Sequence, residues 1–279
     1  MENKTKRIPC YQDILINEIK VHDETKVAFA KWFTKFEELI NIFFEIAYLK
    51  SYCNMTDISS NEYTFYWYAQ DVYTEIPCAL KSCSNHFENG YYTDALGCCR
   101  TMFETLAKLK YFYEDKDSMS QYFYTGKNAQ GKKILIKDIF EKVTPNAYKK
   151  NYSFLCKFVH KEFSTCLPSL TSRLNSQHSV AEKPASFLPV PTFNRHLAEI
   201  VIKHLLGLIS GYLNAAPHFL TSEMTINKQV NERFEKLKNW VNLTIQTNKE
   251  NFPYSKEWSE LMEEVASEPK IFNCPVSIS

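Results

Sequence analysis

Residues 85–113 read NHFENGYYTDALGCCRTMFETLAKLKYFY, and this stretch decides the predicted fold. Its apolar residues recur at alternating spacings of four and three: Ala95, Cys99, Met102, Leu106, Leu109 and Tyr113. This is the period of a helix that buries one face against other helices. Asn89-Gly90, just before the periodic residues, predicts a turn. The stretch therefore predicts a turn followed by a long core helix.

Composition favours a helical protein of ordinary solubility. The chain has 279 residues, of which 44% are apolar and 23% charged, and it contains only six glycines. These values are typical of a globular protein, and so few glycines favour long helices over a many-stranded β architecture. The formal charge of +1 argues against a general polyanion binder. Lys127, Lys132, Lys133 and Lys137 form either a local basic patch or a solvated helix face.

The first part of the chain predicts two further helices. A short helix covers residues 11–21, and a long aromatic one covers residues 25–52, with Asp23 or Thr25 as its cap. No segment predicts a strand. Residues 1–9 and 268–279 are expected to be loose tails. The prediction is an all-α, single-domain bundle over residues 1–279.

The second half of the chain contains a long loop and the most apolar helix. Residues 164–191 hold four prolines and many small polar residues. A loop of that length within a compact domain is typically a functional lid or a mobile segment. Thr192 is expected to cap the following helix, which should end near Pro217.

Cysteine usage and hydropathy indicate a cytoplasmic protein without cofactors. The nine cysteines are odd in number and lack paired Cys-x-x-Cys spacing, so we predict free thiols, no metal site and no cofactor. We infer a reducing compartment. The N-terminus lacks an apolar segment of signal-peptide length. Polar residues interrupt the apolar stretch from Leu197 to Leu220, which predicts a core helix and no membrane association.

Four residues are the leading candidates for a functional site. Arg100 and Glu104 are one helical turn apart, so a guanidinium could bind a phosphate or carboxylate while the carboxylate orients it. The alternative is an ion pair that fixes helix register. His160 could act as an acid or base, with Tyr152 on the same helix in support, or it could be a hydrogen-bonded core histidine.

These motifs carry a resemblance. Gly-x-x-x-Asp-Ala at Gly90–Ala95 leads to Arg-x-x-x-Glu at Arg100–Glu104, and Tyr152–His160 reads Tyr-Ser-x-Leu-x-x-x-Val-His. The family that these motifs resemble carries an Arg-x-x-x-Glu helix and a later Ser-x-x-Val-His helix. Over roughly residues 60–165 the chain resembles an uncharacterised all-helical family of bacteria and phages that is distantly similar to the HEPN superfamily. That resemblance implies a helical bundle that often dimerises. It also implies a relation to metal-independent ribonucleases of toxin–antitoxin and antiphage systems.

The chain departs from the active HEPN pattern in one respect. That pattern places an arginine four to six residues before the histidine. His160 has no arginine at that spacing, and the basic residue that precedes it is Lys157. Arg173 and His178 do match the spacing, and they are the second-choice pair. They lie in the proline-bounded segment rather than on a predicted helix.

Three hypotheses follow for the function. The first is an HEPN-like defence protein that cleaves RNA, in which Arg100 binds phosphate, Glu104 orients it and His160 is the acid or base. The second is a non-catalytic binding or assembly module, a homodimer or a partner of another protein, whose polar network is structural. The third is a small-anion sensor that uses Arg100.

Overall fold

The described part of the chain is built from helices. The computed structural model describes residues 11–51, 60–128, 130–144, 151–159 and 191–247. Over these residues there are eight helices: α1 (Tyr11–Ser51), α2 (Ser60–Glu88), α3 (Tyr92–Glu114), α4 (Lys116–Thr125), α5 (Ile136–Val143), α6 (Ser153–Val159), α7 (Arg195–Ile226) and α8 (Lys228–Gln246). No strand occurs among them, and the only β feature is one isolated bridge between Lys127 and Lys133. The prediction of an all-α bundle is confirmed.

Helix α3 lies at the centre of the bundle. It packs against α2, α4, α5, α6 and α7. Its predicted apolar face is buried from Ala95 to Leu109, whereas Tyr113 at the end of the helix is 39% exposed. The ring of Tyr113 instead packs against those of Phe65 and His218, at centroid distances of 5.8 and 5.6 Å. The apolar face of α3 is therefore buried in the core up to the last turn of the helix.

A tight turn joins α2 to α3, as Asn89-Gly90 predicts. Gly90 has φ +80°, and the amide of Tyr91 donates to the carbonyl oxygen of His86 at 2.8 Å. Positive φ is accessible to glycine at little cost. A Cβ at Gly90 would lie 2.9 Å from Cγ1 of Val21 and 3.2 Å from the carbonyl oxygen of Thr192. Two other segments therefore pack directly against this turn.

Two buried tyrosines connect the central helices. The hydroxyl of Tyr73 on α2 donates to the carbonyl oxygen of Tyr212 on α7 at 2.8 Å. The hydroxyl of Tyr212 donates in turn to the carbonyl oxygen of Met102 on α3 at 2.7 Å. Burial raises the pKa of both phenols well above the ordinary value, so they remain protonated donors.

Three predicted helix boundaries are wrong. Residues 11–51 form two helical segments, as predicted, but the break between them lies at Phe29, whose backbone angles are non-helical. Thr25 is not a cap, because it is buried within the first segment and its hydroxyl donates to the carbonyl oxygen of Val21. Asn194, not Thr192, caps α7, because its side-chain oxygen accepts from the amide of Leu197 at 3.0 Å. Helix α7 also continues through Pro217 to Ile226.

Five cysteines lie in the described residues, and all five are free thiols. Cys83 and Cys99 are fully buried, with their sulfurs 3.8 Å apart. The contact with Cys99 and burial raise the pKa of the Cys83 thiol. Cys78 is exposed. These thiols agree with the predicted absence of disulfides in this part of the chain, while the compartment stays a prediction.

One helical segment meets the length and composition expected of a membrane span. Within the described ranges it covers Arg195–His218, and 67% of its most apolar window is buried inside the bundle. The core helix of a globular protein has the same properties. The predicted loop at 164–191, apart from Pro191, and the predicted tails lie outside the described residues.

Candidate functional site

Three of the four leading candidate residues converge on one cluster. On α3, Nε of Arg100 donates to Oε1 of Glu104 at 3.0 Å. The hydroxyl of Tyr152, just before α6, donates to the same carboxylate oxygen at 2.7 Å. Nη2 of Arg100 donates to that hydroxyl at 3.4 Å. The cluster therefore joins two helices through a cation, a carboxylate and a phenol.

Aromatic rings hold Tyr152 in position. The ring of Phe140 on α5 lies 4.5 Å from that of Tyr152, and the ring of Phe103 lies 6.4 Å from it, both measured between centroids. Phe103 and Phe140 are themselves 4.9 Å apart. The guanidinium carbon of Arg100 is 5.6 Å from the centroid of the Tyr152 ring, within the range of a cation–π contact. Packing thus places the phenol where it meets the Arg100–Glu104 pair.

The electrostatics of the cluster favour a protonated phenol. Burial, followed by the hydrogen bond to Glu104, raises the pKa of Tyr152 well above its ordinary value. Burial alone would lower the pKa of Arg100, but the hydrogen bond and the electrostatic contact with Tyr152 raise it overall. Tyr152 therefore acts as a hydrogen-bond donor and Arg100 as a fixed cation.

The cluster is partly open to solvent. The side chains of Arg100 and Glu104 are 22% and 25% exposed. Within the structure described, Nη1 of Arg100 and Oε2 of Glu104 form no hydrogen bond, and neither is among the fully buried unpaired atoms. An anion could approach Nη1, and a proton donor could approach Oε2.

The remaining candidate residues cannot be placed. His160 directly follows the last described residue of α6, and Arg173 and His178 also lie outside the described residues. Their roles stay predictions. The four lysines of the predicted basic patch are all exposed, although Lys137 forms an ion pair with Glu141 at 3.7 Å. The other three lie on the turn that leads from α4 to α5.

A cavity that the sequence did not predict is lined in part by Phe103. It has a volume of about 340 Å³ and lies between α3, α6, α7 and α8. Its apolar wall includes Leu106, Leu155 and Leu206, and its polar lining is formed by Lys110, Thr144, Asn151, Lys203 and His204. Gly207 and Gly211, one turn apart on α7, were the available signal, because small residues on one face change how closely helices approach.

The two glycines have different surroundings. A Cβ at Gly211 would overlap Cδ2 of Leu106, so α3 and α7 are in close contact there. A Cβ at Gly207 would meet no atom within 4 Å. Both glycines line the cavity, and Gly207 lies at its exposed side.

His204 is a cavity residue whose pKa is changed by its surroundings. Its ring stacks on that of Phe154, with centroids 5.2 Å apart and planes 18° apart. Burial, and to a smaller extent Lys203, lowers its pKa from 6.5 to about 4. The imidazole is therefore neutral at neutral pH, with one nitrogen donor and one nitrogen acceptor.

We expect His204 to make the protein less stable in mild acid. Because its pKa is lower in the folded chain, the unfolded chain binds more protons as the pH falls from 6.5 towards 4, and stability is lost in that window. Between pH 7 and pH 5 the free energy of unfolding of the wild type should fall by about 1–2 kcal/mol more than that of His204→Phe, which keeps a ring against Phe154. Urea unfolding of both proteins at both pH values measures this difference. Equal losses in the two proteins would contradict it.

Neither the metal-ligating side chains of the described residues nor comparisons with known proteins point to a function. Over the ranges described, no three histidine, cysteine or acidic side chains are grouped so that they could hold a metal ion. Comparison of the chain with family models, curated proteins and solved structures gave no match.

Proposed function

We propose that the protein is an HEPN-like helical protein of stress or antiphage defence, and that it cleaves RNA without a metal ion. The observation that supports this most is the hydroxyl of Tyr152, which bridges Arg100 and Glu104 from more than forty residues away in sequence. The bridge orients a cation and a carboxylate while one nitrogen and one oxygen remain unpaired within the described structure. Such an oriented, partly exposed pair suits recognition of a phosphate.

The proposed reaction is internal transesterification of RNA. The 2′-oxygen attacks phosphorus as its proton moves to a base, and the 5′-oxygen leaves with a proton from an acid. Negative charge accumulates on the phosphate oxygens, where Nη1 of Arg100 would stabilise it. Glu104 and Tyr152 hold the guanidinium in place. His160 is assigned the acid or base role through the resemblance.

The basic turn that precedes α5 also supports binding of RNA. Lys127, Lys132 and Lys133 are exposed on it, and Tyr124 just before it is 90% exposed. The side chain of Asn128 accepts hydrogen bonds from the amides of two residues of the turn, which fixes its shape. The turn leads into α5, whose Phe140 packs on Tyr152. Lysines bind phosphates, and an exposed ring can stack on a base.

The test is RNA cleavage by the purified chain in the presence of EDTA. Arg100→Ala and His160→Ala should each reduce the rate of cleavage by about 100-fold or more, while both remain folded by circular dichroism. Arg233→Ala is the matched control, since Arg233 is also partly exposed and pairs with Glu45 of another helix. It should cleave RNA at the wild-type rate.

The absence of cleavage by the wild type would contradict the proposal. Unchanged cleavage by Arg100→Ala would contradict the assignment of the site. The second candidate is a non-catalytic module, which is favoured by the hydrogen bonds that join Arg100, Glu104 and Tyr152 to one another across two helices. In that case Tyr152→Phe should lower the free energy of unfolding by about 1 kcal/mol, and no RNA should be cleaved by any variant.

A further inference from the structure

We propose that the cavity between α3, α6, α7 and α8 binds a small organic acid with an apolar body and a single carboxylate. This site is separate from the Arg100–Glu104–Tyr152 cluster and goes beyond the proposed ribonuclease activity. Its volume of about 340 Å³ is in the range of small-molecule sites, which are mostly apolar with a few polar groups.

The apolar part of the ligand is inferred from the walls. Leu106, Leu155 and Leu206 are buried, and their side chains line the cavity together with Phe103. Gly207 lines the exposed side of the cavity, and no atom lies within 4 Å of the position that a Cβ would take there. An alkyl chain or a ring would remove these surfaces from water at a gain of about 25 cal/mol per Å².

The carboxylate of the proposed ligand is inferred from the positive charges that line the cavity. Lys110 and Lys203 line the cavity, and neither forms a hydrogen bond or an ion pair with another residue in the described part of the protein. No carboxylate is among the lining residues. Glu114, one turn after Lys110, lines a neighbouring cavity of about 330 Å³ that Lys110 also borders. Two cations without a partner at an apolar cavity suit a single negative charge.

Two neutral groups add hydrogen-bonding capacity. Oγ1 of Thr144 is buried without a hydrogen-bond partner, although buried hydroxyls are normally paired. His204 is neutral at neutral pH and forms no hydrogen bond within the described ranges, so its donor nitrogen is available to a carboxylate oxygen. A bound carboxylate would satisfy both groups, whereas an apolar ligand would leave them unpaired.

The experiment uses decanoate as the probe, with decanol and decyltrimethylammonium as its neutral and cationic analogues. Displacement of the fluorescent anion 8-anilinonaphthalene-1-sulfonate from the full chain at pH 7 gives the three affinities. Decanoate should bind at least tenfold more tightly than either analogue, because only its head group can pair with a lysine.

Variants locate the site. Lys110→Ala and Lys203→Ala should each weaken decanoate binding by about tenfold. Lys108→Ala, a lysine on α3 that does not line the cavity, should leave it unchanged. Gly207→Leu should weaken binding by about tenfold or more, since Gly207 lines the cavity and a bulky side chain there would narrow it. Circular dichroism establishes that each variant is folded, and Gly207→Ala provides a smaller change at the same position.

Several outcomes would overturn the inference. Equal affinity for decanol and decanoate would contradict the inference that the ligand carries a carboxylate. Undetectable binding of decanoate at millimolar concentration would contradict the existence of the site. Unchanged binding in folded Gly207→Leu, or in both lysine variants, would show that the probe binds elsewhere. Cleavage of RNA is assayed separately, so failure of either proposal leaves the other standing.

Discussion

Replacement of Tyr212 by alanine should lower the free energy of unfolding by about 4–5 kcal/mol. The side chain is 1% exposed and packs on the rings of Phe43 and Tyr73, with centroids 6.5 and 6.2 Å away. Its hydroxyl also donates to the carbonyl oxygen of Met102. The substitution therefore creates a cavity among three helices and removes a buried hydrogen bond. Urea unfolding followed by circular dichroism measures the loss.

Two further variants separate these contributions. Tyr212→Phe keeps the ring and should cost about 1 kcal/mol, the usual worth of a single hydrogen bond. Tyr124→Ala removes a tyrosine that is 90% exposed and should change stability by less than about 0.5 kcal/mol. If Tyr212→Ala is no more destabilising than Tyr124→Ala, the buried position of Tyr212 is wrong.

Replacement of Gly90 by alanine should cost about 2–3 kcal/mol. Its φ of +80° is unfavourable for any residue with a Cβ. The new methyl group would also press on Val21 and on the backbone carbonyl of Thr192, and a backbone oxygen cannot turn aside as a flexible side chain can. Both α1 and the segment before α7 would have to move away from the turn.

Gly126→Ala is the matched control for this prediction. Gly126 also has positive φ, at +66°, but a Cβ there would meet no atom within 4 Å. It should therefore cost only about 1 kcal/mol, the conformational part of the effect. The difference between the two variants, measured by thermal unfolding, isolates the crowding at Gly90. An equal cost at both positions would show that the crowding is relieved without penalty.

Local rules were enough to predict the centre of the fold. The spacing of apolar residues predicted α3 and its buried face, and Asn89-Gly90 predicted the turn, because both depend on residues close together in sequence. The break at Phe29 in α1 could not be predicted in the same way. Neither glycine nor proline marks it, so it follows from how the two parts of α1 pack.

In the candidate site, too, only the contact between residues close together in sequence could be predicted. The pairing of Arg100 with Glu104 follows from their spacing on one helix. The contact with Tyr152 depends on how α6 packs against α3 beside Phe140, which no local pattern specifies. The cavity could not be predicted for the same reason, because residues of α3, α6, α7 and α8 that are far apart in sequence line it together.

The break at Phe29 has a consequence for the dimensions of the protein. A straight helix of 41 residues would be about 60 Å long. A compact chain of 279 residues has a radius of gyration of about 19 Å, which corresponds to a sphere about 50 Å across. An unbroken α1 would therefore be longer than the body it packs on and would extend beyond it. The kink lets Trp32, Phe36 and Phe43 lie in the core while the segment before Phe29 reaches Gly90 through Val21.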